Sequence, residues 1–131
     1  LVSDDARIGF PEIGLSCFPP GAAALLALRI GEARANEWIL TGRVLSGREA
    51  ACAGFAAQSV AASELEGETA RLAGRLSATG AAALSAARDL LRVERRRALA
   101  DALPRAEAAY RRLAGDADLA RAVEEFGKRK G

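Results

Sequence analysis

The feature that most constrains this chain is how few strand patterns it holds beside its many helix patterns. Ala6–Phe10 alternates polar and apolar residues, which predicts a short strand, and Phe55–Val60 is a weaker second candidate. A lone strand cannot satisfy its backbone hydrogen bonds. We therefore expect a sheet whose other strands are absent from these 131 residues, and we expect the chain to be the later part of a longer protein.

Helix patterns fill the middle of the chain. The apolar run Ala22–Ile30 predicts a buried helix that Gly31 closes. Glu32–Thr41 predicts a second helix, which Gly42 ends, and one of its faces carries Ala35, Trp38 and Ile39. The sequence Ser46-Gly47-Arg48-Glu49 has the spacing of a capping box and predicts the start of a short helix.

The last part of the chain predicts helices only. A second capping box is expected at Ser63–Glu66, followed by an apolar stripe of Leu65, Thr69, Leu72 and Leu76. Ala81–Leu103 predicts a longer helix that Pro104 breaks or kinks, and Asp116 is expected to cap a final helix. We predict two regions: residues 1–61, a strand-containing core with a loop, and residues 62–131, a helical subdomain.

Composition excludes several kinds of chemistry. The chain has no histidine, so proton transfer falls to Asp, Glu, Tyr, Lys or Cys, and no metal site is predicted. The net charge of +2 does not indicate nucleic-acid binding. The arginine-rich run 92–97 is open to two interpretations, a solvated helix face or a patch for a phosphate-bearing ligand or a neighbouring subunit. No segment resembles a signal peptide or a membrane span, so we expect a cytoplasmic protein without a membrane partner. Cys17 and Cys52 show no metal spacing, and each is expected to be a small, buried hydrophobic residue and not a disulfide partner or a nucleophile.

The candidate catalytic group is Glu12, which follows Pro11 and precedes a mostly apolar loop, residues 13–21. A carboxylate among apolar residues is poorly solvated, which favours its protonated form near neutral pH and suits it to acid–base work. The alternative is an ordinary surface glutamate at the end of a strand. The residues around Glu12 leave both interpretations open.

Four local patterns in order resemble the second half of the crotonase superfamily, the enoyl-CoA hydratase and isomerase family. They are Pro11-Glu12-Ile13 with its loop; Arg29-Ile30-Gly31, Ala35-Asn36-Glu37 and Leu40-Thr41-Gly42; Glu49-Ala50 with Gly54-Phe55; and Asp118, Phe126 and a basic tail. The resemblance covers nearly all of the chain. It implies an α/β fold, the C-terminal part of a ββα spiral followed by a helical subdomain, so that this fragment is mostly α.

The resemblance also implies a function. It implies that Glu12 transfers a proton when water is added to, or removed from, the double bond of an enoyl-CoA thioester. Coenzyme A would arrive as part of the substrate, with no other cofactor, and the subunits would form trimers or dimers of trimers. Residues expected to bind the acyl group are Phe10, Cys17, Phe18, Pro19 and Pro20, and residues expected to meet coenzyme A are Phe126 and Arg129. Phe126 as a core residue and Arg129 as a solvated one are the open alternatives.

The chain departs from the family pattern in the loop after Glu12. Pro20 falls where a glycine N–H commonly helps to hold the water, and proline has no N–H. The Phe-Pro-Pro sequence resembles hydratases of cyclic dienoyl-CoA thioesters. Isomerisation of an enoyl-CoA is a second hypothesis, because the superfamily performs several reactions on one fold. A third hypothesis is a non-catalytic oligomerisation module built from the helices after Ser63.

Overall fold

The computed structural model of the chain describes residues 1–128 and is mostly helical, as expected. The helices are α1 Pro20–Ile30, α2 Glu32–Thr41, α3 Gly47–Cys52, α4 Leu65–Ser77, α5 Ala81–Leu91, α6 Val93–Leu113 and α7 Ala117–Lys128. Two 3-10 helical turns cover Pro11–Leu15 and Ala62–Glu64. The strands are β1 Val2–Ser3, β2 Arg7–Gly9, β3 Val44–Ser46 and β4 Ser59–Val60, paired as β1 with β4 and β2 with β3.

The described chain forms two compact units that are discontinuous in sequence. One unit contains residues 1–8 and 45–97, and the other contains residues 9–44 and the described residues from 98 onward. The predicted division between residues 61 and 62 stays a prediction. Within residues 1–128, no helix combines the length and the apolar character that a membrane crossing requires.

The first unit is built around the parallel pair of β1 and β4. Val2 lies opposite Ser59 and Ser3 lies opposite Val60, and α3 packs against both strands. Arg48 on α3 donates a 2.7 Å hydrogen bond from Nη2 to Asp4 Oδ2. This bond, with a second one from Ser59, lowers the pKa of Asp4. The ion pair therefore ties the turn after β1 to the start of α3.

The capping box at the start of α3 is confirmed. The Ser46 Oγ accepts a hydrogen bond from the Glu49 backbone N–H at 3.2 Å, and the Ser46 N–H donates to Glu49 Oε2 at 2.8 Å. Between these residues lies Gly47, which is buried. A Cβ atom on Gly47 would overlap the carbonyl oxygen of Ser3, so only glycine allows α3 to lie this close to β1.

The second unit has its core between α1 and α2, which pack against each other. Its buried side chains are Leu26, Ile30, Ala35, Trp38 and Ile39. The predicted bounds of α2 and its buried face are confirmed. Gly42 ends α2 with φ of 64°, a left-handed conformation that favours glycine. The 3-10 turn Pro11–Leu15 packs against α2 and α7.

Several local predictions are wrong, among them the burial of Cys52, which is exposed. Ser63 is not an N-cap, because Glu64 N–H bonds to Ala61 O at 2.9 Å and places Ser63 within a 3-10 turn before α4. The predicted helix Ala81–Leu103 is instead divided after Leu91.

The division falls where Arg92 N–H bonds to Asp89 O, three residues back, which tightens the last turn of α5. Pro104 lies inside α6 and does not end it, since strong helix formers on both sides outweigh the one lost hydrogen bond. The Phe55–Val60 strand shrinks to Ser59–Val60, because Phe55 N–H bonds to Ala50 O at the end of α3. Asp116 does cap α7, accepting from Asp118 N–H at 2.7 Å.

We predict that Gly47→Ala destabilises the protein by about 3 kcal/mol or more, because the new methyl group meets backbone and not a movable side chain. Gly74→Ala is the matched control, since Gly74 lies on α4 in the same unit with no atom near its Cβ position. The control should stabilise by ~0.5–1 kcal/mol. Urea unfolding of both variants measures the difference, and equal stabilities would contradict the close approach of α3 to β1.

Candidate active site

Glu12 lies in a tight turn and not at the free end of a strand. Pro11 opens the 3-10 turn Pro11–Leu15, where its fixed φ and missing N–H cost nothing. Ser16 ends the turn in the left-handed conformation, with φ of 55°. The Cys17 N–H then donates to Glu12 O at 3.1 Å, and Ser16 N–H donates to Ile13 O at 3.1 Å. Hydrogen bonds therefore fix the backbone from Glu12 to Cys17.

The side chain of Glu12 is only partly exposed, and its Oε2 atom is buried. Among residues 1–128, no group donates a hydrogen bond to that oxygen. A buried polar atom without a partner costs free energy, so such atoms are rare and concentrate at functional sites. The described residues contain no cluster of three or more Cys, Asp or Glu that could hold a metal ion. The structure thus leaves one carboxylate oxygen of Glu12 buried and without a donor among the described residues.

Behind the loop, Tyr110 of α6 contacts Phe18 in two ways. Its hydroxyl donates a 2.6 Å hydrogen bond to the Phe18 carbonyl oxygen. Its ring lies against the Phe18 ring, with centroids 4.8 Å apart and planes tilted by 31°. A hydrogen bond with Cys17, followed by burial and the charges of Cys17 and Glu12, raises the pKa of Tyr110 to about 12. These four residues therefore form one cluster.

The predicted acyl-binding residues lie along this loop. Phe10, Cys17, Phe18 and Pro20 are half-buried and Pro19 is buried. The Phe10 ring meets Trp38 edge-on with centroids 5.3 Å apart. Pro20 is the first residue of α1, and the first hydrogen bond of that helix runs from Ala23 N–H to Pro19 O at 2.8 Å. Their role in binding an acyl group stays a prediction.

Of the two residues predicted to meet coenzyme A, the structure describes Phe126 only. Phe126 lies on α7, which packs against the turn Pro11–Leu15, and 44% of its surface is exposed. Arg129 lies outside the described residues. The partial exposure of Phe126 means that it is not a fully buried core residue.

Tyr110 is the site residue that sequence analysis did not identify. In the sequence, Tyr110 falls at helical spacing with Ala106, Ala109 and Leu113, a pattern that indicates packing alone. One observation could have drawn attention to it: Tyr110 is the single tyrosine of the chain, and tyrosine is one of the few kinds of side chain left for proton transfer in a sequence without histidine.

Comparisons with known proteins identify the family of the chain. The family model for enoyl-CoA hydratase/isomerase matches residues 1–130. The chain belongs to the enoyl-CoA hydratase/isomerase family. The resemblance in the sequence patterns is therefore confirmed at the level of the family.

Three relatives illustrate the similarity. A probable enoyl-CoA hydratase of Mycobacterium bovis is 34% identical over 90 residues, which are 68% of this chain and 35% of the relative. An enoyl-CoA isomerase/hydratase of Zymoseptoria tritici is 43% identical over 67 residues, 50% of this chain and 22% of the relative. The cyclohexa-1,5-dienecarbonyl-CoA hydratase of Thauera aromatica is 41% identical over 49 residues, 37% of this chain and 19% of the relative.

Solved structures confirm the crotonase-type α/β class, mostly α in these residues. An enoyl-CoA hydratase of Mycobacterium avium subsp. paratuberculosis matches with a TM-score of 0.89 and 25% identity, over 97% of this chain and 52% of that chain. An enoyl-CoA hydratase/isomerase of Pseudoalteromonas atlantica matches with a TM-score of 0.86 and 24% identity, over the same shares. The chain thus spans about half the length of these structures and 35% or less of the curated relatives.

The raised pKa of Tyr110 predicts a pH dependence. Folding favours the protonated phenol, so its contribution to stability is complete below the ordinary pKa of 10.0 and is lost as the pH rises toward about 12. Because Tyr110 is the only tyrosine, the tyrosinate absorbance of the native chain reports this group alone. We expect a midpoint near 12 in the native state and near 10.0 in urea. Equal midpoints in the two states would contradict the assigned surroundings, and Tyr110→Phe supplies the blank.

Proposed function

We propose that this chain carries the acid–base half of a hydratase site, which adds water to, or removes it from, the double bond of an enoyl- or cyclic dienoyl-CoA thioester. The observation that carries the proposal is the buried, unpartnered Oε2 of Glu12 in an apolar turn. Hydration forms a C–O bond at the β-carbon and a C–H bond at the α-carbon. Glu12 accepts the proton that water loses or donates the proton that the α-carbon gains.

The loop after Glu12 supports a substrate other than a plain straight-chain thioester. Neither Pro19 nor Pro20 has an N–H with which to hold water at the start of α1. Water would therefore be placed by Glu12 and by the substrate's own shape. In this proposal the acyl pocket is lined by Phe10, Cys17, Phe18, Pro19 and Pro20. The name of the Thauera aromatica relative favours a cyclic acyl group.

Coenzyme A enters the proposal as part of the substrate, with no separate cofactor. An aromatic ring and a guanidinium suit an adenine and its phosphates, so we assign Phe126 and Arg129 to that part of the thioester. The proposal includes a homo-oligomer, a trimer or a dimer of trimers, and a cytoplasmic location. The two free cysteines, Cys17 and Cys52, favour a reducing compartment.

Because the relatives are longer, we infer that these 131 residues alone lack part of the site. The isolated chain should show no turnover of crotonyl-CoA. The longer protein that contains this chain should turn it over. Measurable turnover by the isolated chain would contradict this inference.

A second candidate reaction is isomerisation of the double bond. The name of the Zymoseptoria tritici relative, an enoyl-CoA isomerase/hydratase, favours it. The two reactions differ in what they take from solvent. Hydration incorporates solvent oxygen into the product, and isomerisation does not. Mass spectrometry of products formed in oxygen-labelled water therefore distinguishes them, and label in the product supports the hydratase.

A non-catalytic packing role is the third candidate, and the helices after residue 62 give it some support. Leu72 and Leu76 of α4 are 39% and 48% exposed. None of the described residues on α4–α7 is fully buried. An apolar stripe of this kind suits a contact between subunits, which is compatible with catalysis as well.

We predict that Glu12→Gln lowers kcat on the order of a hundredfold or more in the protein that carries this chain, because the amide keeps the shape but cannot exchange a proton. Glu37→Gln is the matched control, since Glu37 is an exposed residue of α2 whose carboxylate pairs with Arg43 at 3.4 Å. That control should keep the wild-type rate. If Glu12→Gln retains that rate too, the catalytic assignment is wrong and a packing role is favoured.

A further inference from the structure

The contacts between Tyr110 and Phe18 join residues 92 positions apart in the sequence. The hydrogen bond fixes the backbone of Phe18 and the ring contact fixes its side chain. A tyrosine provides both contacts at once, whereas a phenylalanine provides only the second and a leucine provides neither. The pair therefore holds one loop residue at two separate points.

The Phe18 carbonyl has little else to hold it. The hydrogen bonds of α1 begin with the next carbonyl, that of Pro19, which accepts from Ala23. The Cys17 thiol lies 3.9 Å from the Phe18 oxygen and is a weak donor. The 2.6 Å bond from Tyr110 is thus the strong one at this oxygen. Because the phenol keeps its proton up to high pH, this bond persists across the physiological range.

We propose that Tyr110 is a positioning residue that fixes Phe18 as a wall of the acyl pocket and thereby determines which acyl groups the site accepts. This inference rests on the proposed function, in which Phe18 lines that pocket. Tyr110 does not act as the acid or base, because its proton is held by the Phe18 carbonyl. It acts only through the loop, so its removal should alter selectivity and leave proton transfer by Glu12 in place.

The experiment compares two thioesters, crotonyl-CoA and cyclohexenecarbonyl-CoA, in the protein that carries this chain. The variants are Tyr110→Phe, which removes the hydroxyl with its hydrogen bonds to Phe18 and Cys17, and Tyr110→Leu, which also removes the ring. We expect Tyr110→Phe to change the ratio of kcat/KM for the two thioesters about fivefold, the effect of one neutral hydrogen bond, and Tyr110→Leu to change it further. Inhibition by free coenzyme A should stay at the wild-type value.

Arg111→Ala is the matched control, because Arg111 is the next residue of α6 and is exposed, with its guanidinium bonded only locally to Glu107 at 2.6 Å. That variant should keep the wild-type ratio. A purely structural role for Tyr110 predicts that kcat/KM falls equally for both thioesters, so an unchanged ratio in Tyr110→Phe overturns the proposal. Tyr110→Phe differs from the native protein by one oxygen atom, so the test does not depend on whether Tyr110→Leu folds.

The Glu12→Gln variant keeps this test separate from that of the proposed function. If Glu12→Gln abolishes turnover and Tyr110→Phe leaves the ratio unchanged, the positioning role alone is wrong. If Glu12→Gln has no effect, the proposed function is wrong, and the positioning role falls with it.

Discussion

The candidate site depends on the contact between Phe10 and Trp38. Trp38 is 1% exposed, and the edge of one ring meets the other at a centroid distance of 5.3 Å. Such a pair contributes ~0.5–1.5 kcal/mol beyond the area that it buries. Phe10 directly precedes the turn that bears Glu12, so this contact sets where the turn begins. A carboxylate oxygen can stay away from water here because an aromatic core holds the residues beside it.

The burial of Glu12 Oε2 lowers the free energy of unfolding, and interactions elsewhere in the structure offset this loss. A sequence optimised only for stability would place a donor beside that oxygen or an apolar residue in its position. The neighbouring backbone is instead well satisfied, by bonds from Ser16 and Cys17 that close the turn. The unpartnered Oε2 of Glu12 thus lies in a turn whose main chain is hydrogen-bonded, and buried polar atoms of this kind concentrate at functional sites.

Local chemistry explains which parts of the structure were predictable. Three features were predictable because each depends on residues that are close in the sequence. They are the end of α2 at Gly42, the capping box at Ser46 and the cap at Asp116. The predicted capping box at Ser63 has an equally good residue pattern. It is wrong because Ser63 lies inside a 3-10 turn. The prediction of a strand over Phe55–Val60 is wrong because the Phe55 N–H is hydrogen-bonded to Ala50 O at the end of α3.

The same distinction applies to the site. Glu12 was recognisable because its apolar neighbours adjoin it in the chain, whereas Tyr110 reaches Phe18 only through the fold. No periodicity links residues so distant.

The loop between the 3-10 turn and α1 has one further consequence. Ser16 is held in a left-handed conformation, and Pro19 and Pro20 each have a fixed φ. Few backbone rotations remain free in these residues, so binding of the proposed acyl group here would cost little conformational entropy. A rigid loop of this kind would select acyl groups by shape and would adapt little to one that does not fit.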